Sequence, residues 1–280
     1  MFGFILFLQL SISQNVVGFA DALMHQGDYF RAISEYKRAA YYLTDDSIKN
    51  YCLLQIARSY RKSSKFDLSI QYSNGLLSKK DVPITMQQQS NLNLGLSYLE
   101  SHLPQLSLPY FQKLVDAPDS TGFPLMCMGL AELEMKNWTK ASEAFVSASR
   151  LNGDAAFQSK MLQVSADIQM FPDRPQKSPL FASALSLAIP GSGQIYSGHI
   201  YDGIQAFLVT VSSAFATYAL YKYEHSFNDH LSLTYVGISL TAIFEFANVL
   251  GAYQTANYHN WKDHEDFVKS VHDMISPYEP

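Results

Sequence analysis

"LAIPGSGQIYSGHIYDG", Leu187 to Gly203, is the stretch on which the fold of this chain turns. It places glycines at 191, 193, 198 and 203 between two apolar runs. Glycines so dense either cradle a phosphate or let the backbone turn sharply. A dinucleotide fingerprint needs a strand before its glycines and an acidic residue about twenty positions later. A Walker-type loop needs Lys-Ser or Lys-Thr after its last glycine. Here Gly198 is followed by His199 and Ile200, and the preceding "SPLFASALSLAI", Ser178–Ile189, reads as an Ala- and Leu-rich helix. The stretch is therefore a turn. Pro190 has no N–H, Gly191 and Gly193 permit unusual dihedrals, and the chain is expected to reverse through "QIYSG".

Outward from the turn, the chain reads as membrane on one side and soluble on the other. Tyr201–Tyr221 carries one charge, Asp202, and Leu231–Ala256 carries one, Glu245. Each run is about the 20 residues that cross a bilayer. A polar loop, "KYEHSFNDH", separates them. Tyrosines 196, 201, 218, 221, 223, 235, 253 and 258, with Trp261, cluster near the expected ends, as interfacial aromatics do. Hydrophobic residues make up 48% of the 280 and charged ones 16%, against about 25% in soluble proteins. The deficit is steepest in these two runs, and the first 170 residues read by contrast as a soluble protein.

The net charge of −5 and the absence of a basic stripe exclude nucleic acid as the expected partner. Cys52 and Cys127 lie in apolar helical patterns and read as buried thiols. No Cys/His spacing implies a metal, and no cofactor is expected. At the start, an apolar run from Phe2 to Leu10 precedes small residues. It reads as a signal peptide over 1–14, cleaved near Ser13 or Gln14, or else as an uncleaved apolar helix.

Four stretches repeat: "FADALMHQGDYFRAISEYKRAA" from Phe19, "IARSYRKSSKFDLSIQYSNGLL" from Ile56, "LGLSYLESHLPQLSLPYFQKLV" from Leu94 and "MGLAELEMKNWTKASEAFVSAS" from Met128. Each has a small residue second (Ala20, Ala57, Gly95, Gly129). After a turn comes an aromatic residue or proline (Tyr29, Phe66, Pro104, Trp138), and three further on another small residue (Ala32, Ser69, Ser107, Ala141). Small residues let two antiparallel helices approach closely. One such pair cannot bury its apolar face alone, so the pairs must stack. Asp154–Met170 is expected to cap the stack, and "FPDRPQKSP" reads as a linker.

This pattern resembles the tetratricopeptide repeat family over about residues 15–150, most closely in "GDYFRAISEYKRA" and "KNWTKASEAFVSA". Ser64 stands where glycine is usual, and Pro104 stands at the aromatic position. The glycine stretch is similar to a PGxGQxYxG motif of a bacterial membrane domain of unknown function, itself similar to the TM-two domain. Pro190, Gly191, Gly193, Gln194, Tyr196 and Gly198 carry that match. The two resemblances imply an all-α chain: a helical-hairpin solenoid over 15–170, a linker over 171–179, a membrane domain with two crossings over 180–258 and an amphipathic tail over 259–280.

Tetratricopeptide stacks bind partners in a concave groove lined by the first helix of each pair. By register, that groove would show Arg58, Arg61 and Lys62, then Leu92, Leu96 and Leu99, then Met126, Leu130 and Leu133. A basic end beside an apolar floor suits an apolar protein or peptide segment with an acidic flank. The leucines could equally be packed against a fifth helix pair or the membrane domain. Within the second crossing, Glu245, with Asn248 one turn on, is an ionisable residue where such residues are costly. It is expected to pair with Gln194, Gln205 or His199 and hold the turn. The alternative is ion or proton handling in a small transport or channel subunit. Ser212, Ser213, Ala216 and Ala219 could form a close helix contact within the chain or in a homo-oligomer. No catalytic motif is present, so no enzyme is expected. Function is expected to be that of a membrane-anchored adaptor in the bacterial inner membrane. The signal reading places its repeats outside the cytoplasm.

Overall fold

The computed structural model describes residues 16–118, 121–151, 153–227 and 230–276. The expected segment 1–14 lies outside them. The described residues form thirteen α-helices and no strand. The chain divides into two compact units, one ending at Pro172 but including residues 271–276, the other spanning Asp173–Ser270.

The first unit holds α1 (Val16–His25) and α2 (Tyr29–Tyr42), α3 (Asp46–Lys62), α4 (Phe66–Leu77), α5 (Ile84–Glu100), α6 (Pro104–Val115), α7 (Gly122–Glu134), α8 (Trp138–Leu151) and α9 (Ala155–Met170). From α2 onward each helix packs on the next, and α3, α5 and α7 also touch in series. The aligned small residues explain the close approach. Ala20, Ala57, Gly95, Gly129, Ala32, Ser69, Ser107 and Ala141 are all buried. A Cβ at Gly95 would run into the Phe111 ring, and one at Gly129 into Phe145. Phe111, Phe145 and Tyr36 occupy the same repeat position and are fully buried. Each such ring contributes about 1.5–3 kcal/mol. In the second pair that position is Ser73, and Asn93 of α5 fills the space instead. Its Nδ2 donates to Ser69 Oγ at 2.8 Å and to Ser73 Oγ at 3.0 Å.

The four pairs share one turn. Gly27, Ser64, His102 and Lys136 all have φ near +60 to +80°. Each follows the first helix of its pair, and the next residue's N–H reaches back to the same carbonyl position. Asp28 bonds Leu23, Lys65 bonds Tyr60, Leu103 bonds Tyr98 and Asn137 bonds Glu132, at 2.8–2.9 Å. This is a Schellman closure. A left-handed residue thus recurs even where the sequence lacks glycine.

The second unit holds α10 (Pro179–Ala188), α11 (Ser192–Tyr196), α12 (Ile200–Ser226) and most of α13 (Ser232–Ile275). The "QIYSG" turn is thus largely a short helix, closed by Gly198 at φ +88°. The expected separate tail is also corrected: α13 runs unbroken through residue 258, since nothing from Tyr253 to Ile275 is a glycine or proline. Trp261 is exposed. The buried positions are Ala252, Ala256, His264, Phe267, Val271 and Ile275, at helical spacing. α12 and α13 are long and apolar enough to cross a membrane, and only 11% and 17% of their most apolar windows are buried. A soluble core helix would be covered. These helices instead expose Phe207, Leu208, Phe215, Ile238, Ile243 and Phe246, among others.

Candidate functional site: a cavity in the first unit and the glycine turn

A cavity of about 540 Å³ opens between α1, α2, α3 and α5. Asp21 of α1 lines it and accepts from Tyr36 Oη at 2.5 Å and Tyr51 Oη at 2.9 Å. Burial first, then the Asp21 carboxylate, pushes the Tyr36 hydroxyl up and that of Tyr51 up to about 12. Burial likewise raises the neighbouring Cys52 thiol to about 11. The acid is therefore already occupied as an acceptor. The cations across the cavity are not equivalent. Arg61 is buried, its Nε donates to Asn93 Oδ1 at 3.0 Å, and it pairs with Glu100. Arg58 is half-buried, and burial, then the like charge of Arg61, lowers its proton affinity. It has no acidic partner among the described residues. Lys62 stands exposed at the rim, and Leu92 and Leu96 supply half-buried apolar surface.

Of the nine residues that register assigned to a groove, Arg58, Arg61, Lys62, Leu92 and Leu96 share this cavity. Leu99, Met126, Leu130 and Leu133 are buried, so of the expected apolar floor only Leu92 and Leu96 stay open to a partner. Register places a residue on a helix face but does not say whether that face is covered. Arg61 lines the cavity as expected, but its charge is paired with Glu100. Register missed Asp21, Tyr36 and Tyr51, whose only sequence signal is an acid inside an apolar helical stretch.

The glycine turn is held by a network of hydrogen bonds. Gly191, at φ +83°, donates its N–H to Asn248 Oδ1 at 3.0 Å. A Cβ there would strike the Gly203 carbonyl. Gly193 donates to Ser186 Oγ at 3.0 Å, and a Cβ on it would strike the Ala182 carbonyl and Ala252. Gln194 accepts from Ser186 Oγ at 2.8 Å and donates to the Asn248 carbonyl at 2.9 Å. Asn248 Nδ2 returns to the Ser186 carbonyl at 3.1 Å. Tyr196 receives Lys177 over its ring at 4.6 Å and meets Phe181 edge-on. Pro190, half-buried, leads into the turn. Every motif residue except Pro190 thus has a packing, bonding or backbone role visible here, and none is left aimed at a ligand.

Glu245 does not bond Gln194, Gln205 or His199 as expected. Its Oε2 accepts from Asn248 Nδ2 at 3.3 Å, and its Oε1 is buried without a hydrogen-bond partner. Between the two long helices Thr217 packs against Gly237, with Thr217 and Thr241 hydroxyls 3.1 Å apart. The expected stripe is not used there: Ser212, Ala216 and Ala219 are exposed. Glu224, unforeseen, caps α13 by accepting from the N–H of Leu233 at 2.8 Å and of Thr234 at 2.9 Å. Compared with protein-family models and with curated proteins, the chain matches none.

Proposed function

We propose that this chain is a non-enzymatic, membrane-anchored adaptor whose first unit binds an acidic-flanked segment of a protein partner. The observation that carries the reading is Arg58: a half-buried guanidinium facing a 540 Å³ cavity with no acidic partner among the described residues. A buried charge calls for a counter-charge, and a carboxylate matches the guanidinium fork. Leu92 and Leu96 beside it would take the apolar part of the same segment. The shared turn and buried small residues support a tetratricopeptide-type stack. The bonded glycine turn supports a membrane domain of the PGxGQxYxG kind. The uncovered apolar surface of α12 and α13 supports two crossings. On this reading the protein sits in a bacterial inner membrane with its repeats outside the cytoplasm, in assembly or scaffolding.

A photo-crosslinking amino acid at Leu92, in the full chain in its native membrane, tests this. The adduct is expected to vanish with Arg58→Glu and Leu96→Asp and to persist with Glu245→Gln. One specific observation favours a second reading, a small transport or channel subunit: the buried, unpartnered Oε1 of Glu245 on α13, beside Asn248. That reading requires the opposite pattern, with Glu245→Gln abolishing function and the cavity variants harmless.

A further inference from the structure

Beyond the two long helices, α10 and α11 present apolar side chains to the outside: Leu180, Phe181, Leu187, Ile189 and Ile195. Leu187 and Ile189 are 68% and 60% exposed, values expected of side chains that meet solvent or lipid. The two short helices are fixed along α13 in a definite register. At the base, the backbone N–H of Lys177 donates to Asn260 Oδ1 at 2.9 Å, and Asn260 Nδ2 returns to the Lys177 carbonyl at 2.8 Å. Midway, Ala182 packs with Ala252 and Ala256, and nearer the tip Ser183 Oγ donates to the Val249 carbonyl at 3.3 Å. Toward the tip, the Ser186 carbonyl and Gly191 N–H both meet the Asn248 side chain. From the Asn260 level to the Asn248 level is twelve residues of α13, about 18 Å.

The aromatic residues supply a frame for that distance. The Thr217–Thr241 contact brings Tyr223 to the level of Tyr235. Along α13, Tyr235 to Tyr253 is about 27 Å, and Tyr235 to Tyr258 about 35 Å. A hydrocarbon core of about 30 Å fits between these girdles. The Asn248 level is then about 20 Å from Tyr235, hence about 10 Å inside the nearer face. Non-helical backbone at that depth is tolerated only where protein satisfies it. The turn meets that condition: Gly191 and Gly193 are buried, and both N–H groups are bonded to side chains.

We propose that α10 and α11 form a re-entrant hairpin that enters and leaves one leaflet, with Leu187 and Ile189 among acyl chains about 10 Å below the membrane face. This rests on the reading of α12 and α13 as membrane crossings. The PGxGQxYxG residues are then what keeps a backbone reversal dry at depth.

Single cysteines replacing Leu180, Leu187, Ile195, Phe215 and Phe244, in full-length protein with Cys52→Ala and Cys127→Ala, test it. Each is labelled with a nitroxide in phosphatidylethanolamine–phosphatidylglycerol vesicles, and depth is read from oxygen against nickel-chelate collision. Leu187 is expected about 10 Å deeper than Leu180, seven residues along the helix, and Phe215 and Phe244 are expected inside the core. Leu187 at headgroup or water level, with Phe215 and Phe244 deep, overturns the hairpin and leaves the crossings standing. Phe215 and Phe244 at water level overturn the crossings themselves. If the background fails to fold, the native cysteines are kept, since both are buried and shielded from label.

Discussion

The shared left-handed turn makes a quantitative claim about stability. Ser64, His102 and Lys136 hold φ of +58°, +59° and +61° where Gly27 holds +78°. A non-glycine residue in this region costs about 1–2 kcal/mol. Replacing it with glycine recovers that strain but gives the unfolded chain back freedom worth about 0.5–1 kcal/mol. The net gain expected is about 0.5–1 kcal/mol for each of Ser64→Gly, His102→Gly and Lys136→Gly. All three side chains are exposed and none makes a hydrogen bond that the substitution would remove. The sites lie in different helical pairs and share no partner, so the triple variant should gain about 2 kcal/mol. The reverse change, Gly27→Ala, isolates the backbone term. Nothing lies within 4 Å of a Cβ at Gly27, so its cost of about 1 kcal/mol is conformational alone. The assay is urea denaturation of the full chain in detergent, followed by circular dichroism, with the slope compared to confirm that the same surface unfolds. A triple variant with an unchanged or lower midpoint, or a Gly27→Ala variant as stable as wild type, would refute the reasoning.

Three further outcomes follow from the same geometry. Gly193→Ala should destabilise the second unit by about 2–4 kcal/mol because backbone and Ala252 must move, whereas Gly75→Ala, on the open face of α4, should stabilise by about 0.5–1 kcal/mol; thermal melts of the two variants decide. The Tyr51 hydroxyl, ordinarily near 10 and raised to about 12, contributes stability that is fully present below pH 10 and is lost as pH rises toward 12; Asp21→Asn should bring phenolate absorbance in at lower pH. Glu224→Ala should uncap α13, lowering stability and exposing the Leu233 and Thr234 amides to faster hydrogen exchange.

The helical class was legible because periodicity and small-residue spacing are local. Ala20, Ala57, Gly95 and Gly129 recur in register, and the space they leave is taken by one ring position in three of the four pairs. The cavity was only partly legible. Arg58 and Leu96 follow from register, but Asp21, Tyr36 and Tyr51 come from three helices and read singly as core. Burial of Met126, Leu130 and Leu133 depends on what lies over them, which no local pattern reports. The continuity of α13 was missed for the opposite reason: a change from apolar to charged sequence looks like a boundary, yet the backbone sees only residues that all tolerate helix.

The turn that opened as a ligand-binding possibility leaves one ionisable group unaccounted for. Ser186, Gln194, Asn248 and both glycine N–H groups bond one another, and Glu245 Oε1 beside Asn248 is left, like Ser192 Oγ in the turn, buried without a partner among the described residues; of the two it is the one that can carry charge. Glu245→Gln separates its two uses. The amide carbonyl can still accept from Asn248, so a purely structural Glu245 should tolerate the change with stability altered by less than about 1 kcal/mol. It removes the carboxylate, so any ion or proton carried there should be lost outright. Glu245→Leu supplies the complement: it removes the Asn248 contact and should loosen the turn in either case. A chain that keeps its crosslink and its function as Gln but falters as Leu uses Glu245 to hold Asn248. A chain that folds as Gln yet fails to work uses the carboxylate itself, and the adaptor reading falls.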